Sequence, residues 1–166
     1  MRILVAYASK HGSTATIAKH VAAELREAGN EVDLASVDAI ADVQTYEAFV
    51  IGSAVYYGAW MKEATAFVAL NAAWLIRRPV WLFSSGPVGT AAPADPKDIV
   101  ALGETINPRG HRVFYGALDR RNLSVGERIV VGAVKAPDGD FRDWKAIEAW
   151  SHEIAGELAK LEPVPA

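Results

Sequence analysis

Residues 1–14 read MRILVAYASKHGST, and this stretch predicts the fold of the chain. Ile3 to Tyr7 form a short, continuous apolar run, which is typical of a strand buried on both faces of a parallel sheet. The polar loop that follows leads into apolar residues at helical spacing after Ser13 and Thr14. A strand, a short loop and a helix in this order indicate the first part of a βαβ unit.

The same alternation of strands and helices continues along the chain. Further apolar runs predict strands over Val32 to Val37, Ala48 to Ile51, Val80 to Phe83 and Val113 to Leu118. Apolar residues at helical spacing predict helices over residues 17–28, 64–75 and 144–161. The sequence therefore predicts an α/β fold: a doubly wound, five-stranded parallel sheet with helices on both faces.

Three other segments carry more specific expectations. Asp140 is predicted to cap the C-terminal helix, and Asp143 falls in its first turn, where a negative charge favours the helix dipole. Residues 87–98 are rich in Pro, Ala and Gly, which predicts a long surface loop. Leu123 to Ala136 is interpreted as a helix, with an extra strand as the alternative.

Length and composition limit the kind of protein. The 166 residues suit one compact domain, predicted over residues 1–161 with a frayed tail at 162–166. The net charge of -3 predicts no clustered basic surface for nucleic acid, and the absence of cysteine excludes disulfides, thiolate metal sites and cysteine nucleophiles. No apolar stretch approaches the roughly 20 residues that span a bilayer, and the first apolar run is too short for a secretory signal. We therefore expect a soluble, cytoplasmic protein.

The loop after the first predicted strand is the first part of the candidate site, because ligands of open parallel sheets bind beyond the carboxyl ends of the strands. It offers Ser9, Lys10, His11, Gly12, Ser13 and Thr14 in front of a helix. Backbone N–H groups and the helix dipole favour a phosphate there; the alternative is that Ser13 or Thr14 only caps the helix. A nucleoside-triphosphatase loop and a dinucleotide fingerprint are excluded, because the lysine before the hydroxyl and the three spaced glycines are missing.

Two later loops have the composition of a site for a planar ring system. The loop after the third strand contributes the candidates Ala54, Val55, Tyr56, Tyr57, Gly58 and Trp60, and the loop after the fourth strand contributes Ser84, Ser85, Gly86, Pro87, Val88 and Gly89. Aromatics around a glycine in a loop favour stacking on a planar ligand, with packing on their own helix as the alternative. Glycines let the backbone approach a ligand closely, and hydroxyls can reach its polar edge.

The first loop resembles the FMN phosphate loop of the flavodoxin family, whose pattern is roughly Ser/Thr-x-Thr-Gly-x-Thr. Ser9, Gly12 and Thr14 match this pattern, and His11 stands where a threonine is usual. The resemblance covers nearly the whole chain. Residues 51–58 are most similar to the flavodoxin-domain group that includes bacterial menaquinone-dependent protoporphyrinogen oxidases. The resemblance implies that the predicted doubly wound, five-stranded parallel sheet is flavodoxin-like. It also implies FMN as the cofactor, with a hydrogen bond to the flavin N5 from the second loop.

Three functions are compatible with this resemblance. The first is an FMN-dependent oxidoreductase that acts on a quinone or a protoporphyrinogen-like substrate, which the lack of strong acidity favours over a carrier flavodoxin. The second is an electron carrier between protein partners, and the third is a flavin-free binding module. Arg120 and Arg121 are candidates for meeting a substrate carboxylate, with solvated loop arginines as the alternative. The four histidines show no metal-ligand spacing with each other, so no metal is expected.

Overall fold

The computed structural model describes residues 1–86, 94–119, 121, 123–133 and 139–161. Three candidates of the third loop, Pro87, Val88 and Gly89, lie outside the described residues. So do Arg120 and the tail at 162–166, whose predicted roles stay predictions.

The main sheet has five parallel strands in the order β2-β1-β3-β5-β6, and the short β4 pairs with β3 in antiparallel fashion. Its strands are β1 (Arg2–Ala8), β2 (Glu31–Ser36), β3 (Ala48–Tyr56), β4 (Ala59–Trp60), β5 (Val80–Ser85) and β6 (Gly110–Phe114). A second sheet consists of β7 (Ala117–Leu118) and β8 (Gly139–Asp140). The strand order reverses between β1 and β3, which is where doubly wound sheets bind their ligands. The predicted fold class is confirmed.

Helices cover both faces of the sheet. They are α1 (Ser13–Glu27), α2 (Lys62–Leu75), α3 (Ile99–Ile106), α4 (Val125–Ala133) and α5 (Trp144–Leu158), and a 3₁₀ turn lies at Val37–Ala39. Residues of α1 and α5 form one hydrophobic layer against the sheet, and residues of α2 and α3 form the other. In β1, Ile3 and Val5 face the first layer while Leu4 and Ala6 face the second. Burial on both faces is the reason that the strands are apolar without alternation.

The predicted strand over Val113 to Leu118 is wrong in its second half. The parallel strand ends at Phe114, whose carbonyl oxygen accepts the N–H of Gly86, and residues 117–118 pair with β8 instead. The helix α3 was not predicted, although Leu102 and Ile106 are buried at helical spacing. Its end is set by Asn107, which adopts the left-handed conformation at φ 46°.

The two predictions for the C-terminal third have different outcomes. A helix within Leu123 to Ala136 is confirmed for the residues of α4. The prediction that Asp140 caps α5 is wrong. Asp143 is the cap, because its carboxylate accepts the N–H of Ala146 at 3.1 Å, while Asp140 pairs with Arg142. A cap bonds the N–H groups two or three residues further along, and Asp140 lies too far upstream to do so.

Candidate functional site

The loop between β1 and α1 has the geometry of an anion site. Gly12 is the N-cap residue of α1 in the left-handed conformation, at φ 89°, and the helix has no side-chain cap. The alternative in which Ser13 or Thr14 caps the helix is therefore wrong. The N–H groups in the first turn of a helix have no intrahelical partners, and with the helix dipole they favour an anion.

The hydroxyl groups of this loop are held by backbone donors. Ser9 Oγ accepts the N–H of Gly12 at 3.1 Å, and Ser13 Oγ accepts the N–H of Ala117 at 3.0 Å. A hydroxyl that accepts one hydrogen bond keeps its own hydrogen as a donor. Thr14 is buried on the core-facing side of α1. The loop thus presents hydroxyl donors in fixed positions beside the helix N-terminus.

Lys10 and His11 of this loop both contact one carboxylate, that of Glu127 on α4. Lys10 Nζ donates to Glu127 Oε1, and His11 Nε2 lies 3.1 Å from the same oxygen. The hydrogen bond from Lys10 lowers the pKa of Glu127 far below its ordinary range, and the N–H of Ser124 lowers it further. The same contact raises the pKa of Lys10. The loop therefore already attracts an anionic group, which is the behaviour expected of a phosphate site.

Glu127 was missed by the sequence analysis, although a local signal for it exists. Ser124 and Glu127 form a capping box, in which the N–H of each residue is bonded to the side chain of the other, at 2.8 and 3.3 Å. The pattern Ser-x-x-Glu identifies the start of α4. Nothing local indicates that the same carboxylate reaches Lys10, which is 117 positions away in the chain.

The second loop is a tight hairpin between β3 and β4. Its turn consists of Tyr57 and Gly58, since Tyr56 pairs with Ala59 on either side. Both turn residues have positive φ, 53° and 72°, as a type I′ turn requires. The side chain of Tyr57 is 85% exposed and that of Tyr56 is 38% exposed. These two rings are the aromatic groups that the hairpin offers to a planar ligand.

Trp60 has a different role from the one predicted. It is only 4% exposed, and its indole Nε1 donates to Ser84 Oγ at 2.7 Å. Ser84 is fully buried as well, so neither side chain presents a surface to a ligand. Trp60 and Ser84 lie beneath the second and third loops and do not line the surface of these loops.

The described part of the third loop lies close to the other two loops. A Cβ atom at Gly86, where φ is 119°, would lie 3.6 Å from the carbonyl oxygen of Val55 in the second loop. A Cβ atom at Gly116 would lie 3.5 Å from the nitrogen of Gly86 and 3.7 Å from Ser13 Oγ. The backbone of Gly116 therefore fills the space between the first and third loops. Ala54 and Ser85, at the ends of β3 and β5, are buried at the floor of the same region.

Other polar clusters lie outside these loops. Arg121 pairs with Asp119 through two hydrogen bonds of 2.9 Å from its guanidinium group, so its predicted contact with a substrate carboxylate stays a prediction. Side-chain atoms that could coordinate a metal ion lie within 4.8 Å of one another in Glu24 on α1 and in Glu148 and His152 on α5. The direct hydrogen bond of 3.0 Å between His152 and Glu24 accounts for this arrangement.

Fold and site together define a doubly wound α/β protein with a candidate anion-binding loop and two exposed tyrosines at the switch point of the sheet. Residues 4–145 match the flavodoxin domain family, and the chain belongs to this family. A flavin is accordingly the cofactor class that the site indicates. Among the helices that the structure describes, none is long and apolar enough to cross a membrane.

Comparisons with individual proteins are consistent with this assignment. The chain is 33% identical over 86 residues to the protoporphyrinogen IX dehydrogenase [quinone] of Escherichia coli K12, covering 51% of this chain and 48% of the relative. It thus spans about half the length of that relative. A flavodoxin from the domain Archaea has the same fold at 14% identity, with a TM-score of 0.65 over 96% of this chain and 99% of the other. The rubredoxin oxygen:oxidoreductase of Desulfovibrio gigas has it at 12% identity and a TM-score of 0.66, over 95% of this chain and 36% of the other.

Proposed function

We propose that this chain binds one FMN, with the phosphate at Ser9 to Thr14 and the ring system between Ala54 to Gly58 and Ser85 to Gly89. The observation that carries the proposal is the uncapped N-terminus of α1 at the switch point, beside hydroxyl groups that keep a free hydrogen. When bound, FMN supplies the hydride and one-electron chemistry, and the protein supplies binding and orientation.

The residues of the site divide this work. The first turn of α1 and the hydroxyls of Ser9 and Ser13 bind the phosphate, and Lys10 adds a positive charge. The tyrosines of the hairpin cover the ring and exclude water from it. The N–H of Lys97 donates to the carbonyl oxygen of Gly58 at 3.0 Å, so the turn peptide has a fixed orientation toward the ring.

We further propose that the chain is an FMN-dependent oxidoreductase whose electrons pass to or from a quinone or a protoporphyrinogen-like substrate. The name of the E. coli relative contains both protoporphyrinogen and quinone, which supports these two substrates over the other substrates of flavoproteins. The modest net charge of -3 also favours a small-molecule substrate over the basic protein partners of an acidic carrier. The cytoplasmic location stays a prediction.

Absorbance and binding test the cofactor. Purified protein is expected to carry the absorption bands of FMN. The double variant Ser9→Ala/Ser13→Ala is expected to lose at least about tenfold in FMN affinity, because hydrogen bonds to a charged group contribute about 1.5–3 kcal/mol each. Thr65→Ala/Thr105→Ala is the matched control, since these hydroxyls bond only to carbonyls of their own helices. Unchanged affinity in the first variant would overturn the phosphate site, and a colourless protein that never binds FMN would indicate the flavin-free module.

Rapid-mixing kinetics test the activity. We expect the bound flavin to react with a quinol, with protoporphyrinogen or with NAD(P)H at a rate compatible with turnover. The compound that reacts fastest identifies the class of substrate. A protein that is only an electron carrier would react slowly with all three and quickly with a redox partner protein.

A further inference from the structure

The second loop, at the hairpin of Tyr57 and Gly58, and the third loop, which begins at Ser84, are called the ring-facing loops because the flavin ring is proposed to lie between them. A chain of hydrogen bonds runs beneath these two loops and reaches solvent at one end. Trp60 Nε1 donates to Ser84 Oγ at 2.7 Å, and Ser84 Oγ lies 2.8 Å from His111 Nε2. The other ring nitrogen, His111 Nδ1, lies 3.2 Å from Asp95 Oδ1. The side chain of His111 is 11% exposed, whereas that of Asp95 is 73% exposed.

The donors and acceptors of this chain fit together in one direction. An indole N–H can only donate, so Ser84 Oγ accepts from Trp60. In the arrangement that gives the hydroxyl hydrogen of Ser84 an acceptor, this hydrogen points to His111 Nε2, which is then unprotonated. The neutral imidazole consequently carries its hydrogen on Nδ1 and donates it to the carboxylate of Asp95.

The spacing of Ser84, His111 and Asp95 resembles that of a hydrolytic triad, but Ser84 cannot act as a nucleophile. Its residue is completely buried, and the indole N–H of Trp60 occupies a lone pair of its oxygen. No substrate carbonyl can approach an oxygen in this position. The arrangement therefore fits a structural role for the chain of hydrogen bonds.

What the chain holds together is the pair of ring-facing loops. Ser84 stands two residues before Gly86 of the third loop, and Trp60 ends the hairpin of the second loop. Asp95 belongs to a segment that bonds the same hairpin twice. Asp98 Oδ2 accepts the N–H of Trp60 at 2.8 Å, and Lys97 N–H donates to the Gly58 carbonyl at 3.0 Å.

We propose that His111 is a positioning residue for the flavin ring: in its neutral form it links the hairpin of the second loop to the described start of the third loop at Ser84 to Gly86, and its protonation weakens this link. The inference rests on the proposed function, because it takes the ring to lie between these loops. Protonation puts a second N–H on Ser84 Oγ, so the hydroxyl hydrogen of Ser84 loses His111 as its acceptor. A buried donor without an acceptor costs free energy, which weakens the arrangement that links the two loops.

The charges around His111 set the pH at which this happens. Burial lowers the pKa of His111 below its ordinary value of 6.5, and the carboxylate of Asp95 opposes this shift. On the same strand segment, Arg109 and Arg112 pair with Glu157 and Glu153 of α5, at 3.7 and 3.1 Å. Asp95 is the charged group that shifts the pKa of His111, whereas these ion pairs, and Lys97 and Asp98 in the segment after Asp95, do not. The neutral form is thus favoured at neutral pH and is lost as the pH falls below 6.5.

The test compares the pH dependence of FMN affinity in the wild type, His111→Gln and Asp95→Asn, from about pH 5 to about pH 8. Ionisation of the FMN phosphate and of the first loop affects all three proteins alike, so the ratio between variant and wild type isolates His111. We expect wild-type affinity to fall at acidic pH by about tenfold more than that of His111→Gln, since one pKa unit of difference corresponds to a factor of ten. Asp95→Asn is expected to move the fall to still lower pH, because it removes the charge that favours protonation. His152→Gln, at an exposed histidine on α5, should keep the wild-type profile.

Two outcomes would overturn the proposal. One is a His111→Gln profile with the wild-type slope; if that variant does not fold, an unshifted Asp95→Asn profile has the same meaning. The other is a nitrogen-15 NMR spectrum of the protein without flavin that shows His111 protonated on Nε2 at neutral pH. Failure to bind FMN at every pH would contradict the proposed function instead, and the NMR spectrum would still test the hydrogen-bond chain.

Discussion

The backbone N–H of Ala117 donates a hydrogen bond of 3.0 Å to the hydroxyl oxygen of Ser13, across 104 positions of the chain. This bond joins β7 to the first residue of α1, where the phosphate is proposed to bind. Since Phe141 N–H also donates to the carbonyl of Gly116, the small β7–β8 sheet is fixed against the anion-binding loop. One serine thus belongs both to the site and to the packing of the segment after β6.

Replacing Ser13 with alanine should affect FMN binding and stability together. The N–H of Ala117 loses its acceptor, so the free energy of unfolding without FMN should fall by about 1 kcal/mol. Loss of the hydroxyl donor should weaken FMN binding by about tenfold, because hydrogen bonds to charged groups are the stronger ones. Urea unfolding and fluorescence titration with FMN measure the two effects. Ser151→Ala, which removes a hydrogen bond to the Ile147 carbonyl within α5, should lower stability without changing FMN affinity. Equal FMN affinities in Ser13→Ala and Ser151→Ala would contradict the assignment of Ser13 to the phosphate site.

The parallel sheet could be predicted from the sequence because burial on both faces leaves a direct trace. In β1 every residue from Ile3 to Ala6 is completely buried, and no polar residue interrupts the run. The position of the loop between β1 and α1 could be predicted as well, since a glycine and hydroxyls follow an apolar run and precede residues at helical spacing; its binding of an anion stays a prediction. Both are local patterns of residue type.

The inner parts of the site depend on register and on distant contacts, which residue types do not reveal. Tyr57 and Trp60 are aromatic residues of one short loop, yet the first is exposed and the second is buried. The difference arises because Trp60 pairs with Val55 in the hairpin, which turns its side chain inward toward Ser84. Glu127 reaches Lys10 from another part of the chain, and only the folded arrangement shows this contact.

Neutralising Glu127 should strengthen the binding of FMN. Glu127→Gln leaves the charge of Lys10 uncompensated near the phosphate, so we expect FMN affinity to rise by about three- to tenfold at low salt and less at high salt. Glutamine also fits the capping box with Ser124, so the start of α4 should persist. Titrations with FMN, and with riboflavin, which has no phosphate, separate the charge effect from changes at the ring. Glu153→Gln, which removes the partner of Arg112 on α5, is the control.

The effect of Glu127→Gln should not depend on pH between about pH 7 and about pH 9, where the FMN phosphate keeps its full charge. The pKa of Glu127 is lowered from 4.5, so its charge is lost only as the pH falls below that value. The pKa of Lys10 is raised from 10.5, so its charge is lost only above that value. A difference between variant and wild type that titrates within this window would mean that the effect does not come from the charges of Glu127 and Lys10.

Replacing Tyr57 with asparagine should stabilise the protein and weaken flavin binding. Tyr57 has a positive φ of 53°, which costs a bulky residue about 1–2 kcal/mol and asparagine less. The free energy of unfolding should therefore rise by about 1 kcal/mol. The loss of an exposed ring at the hairpin should lower FMN affinity, because ring contacts of this kind contribute about 1 kcal/mol. Tyr57→Phe keeps both the strain and the ring and should resemble the wild type in both measurements. A variant Tyr57→Asn with full FMN affinity would show that this ring does not contact the flavin.

Adding one methyl group at Gly52 should destabilise the core below the site. A Cβ atom there would lie 2.0 Å from Cζ of the Phe83 ring on the neighbouring strand. That ring is completely buried and packs against Phe114 and Trp150 at centroid distances of 6.3 and 6.0 Å, so it has no space into which to move. Overpacking of this kind costs about 1–3 kcal/mol, and we expect a loss of this size in urea unfolding with an unchanged m-value.

The same substitution at Gly103 is the matched control, with the opposite sign. A Cβ atom there meets nothing within 4 Å, and alanine in a helix is more stable than glycine by about 0.5–1 kcal/mol. Gly103→Ala should therefore raise the free energy of unfolding while Gly52→Ala lowers it. In the double variant Gly52→Ala/Phe83→Leu the smaller side chain makes room for the added methyl group. The free energy of unfolding should therefore fall by less than the sum of the losses in the two single variants. Strict additivity would mean that the ring of Phe83 is not what makes glycine necessary at position 52.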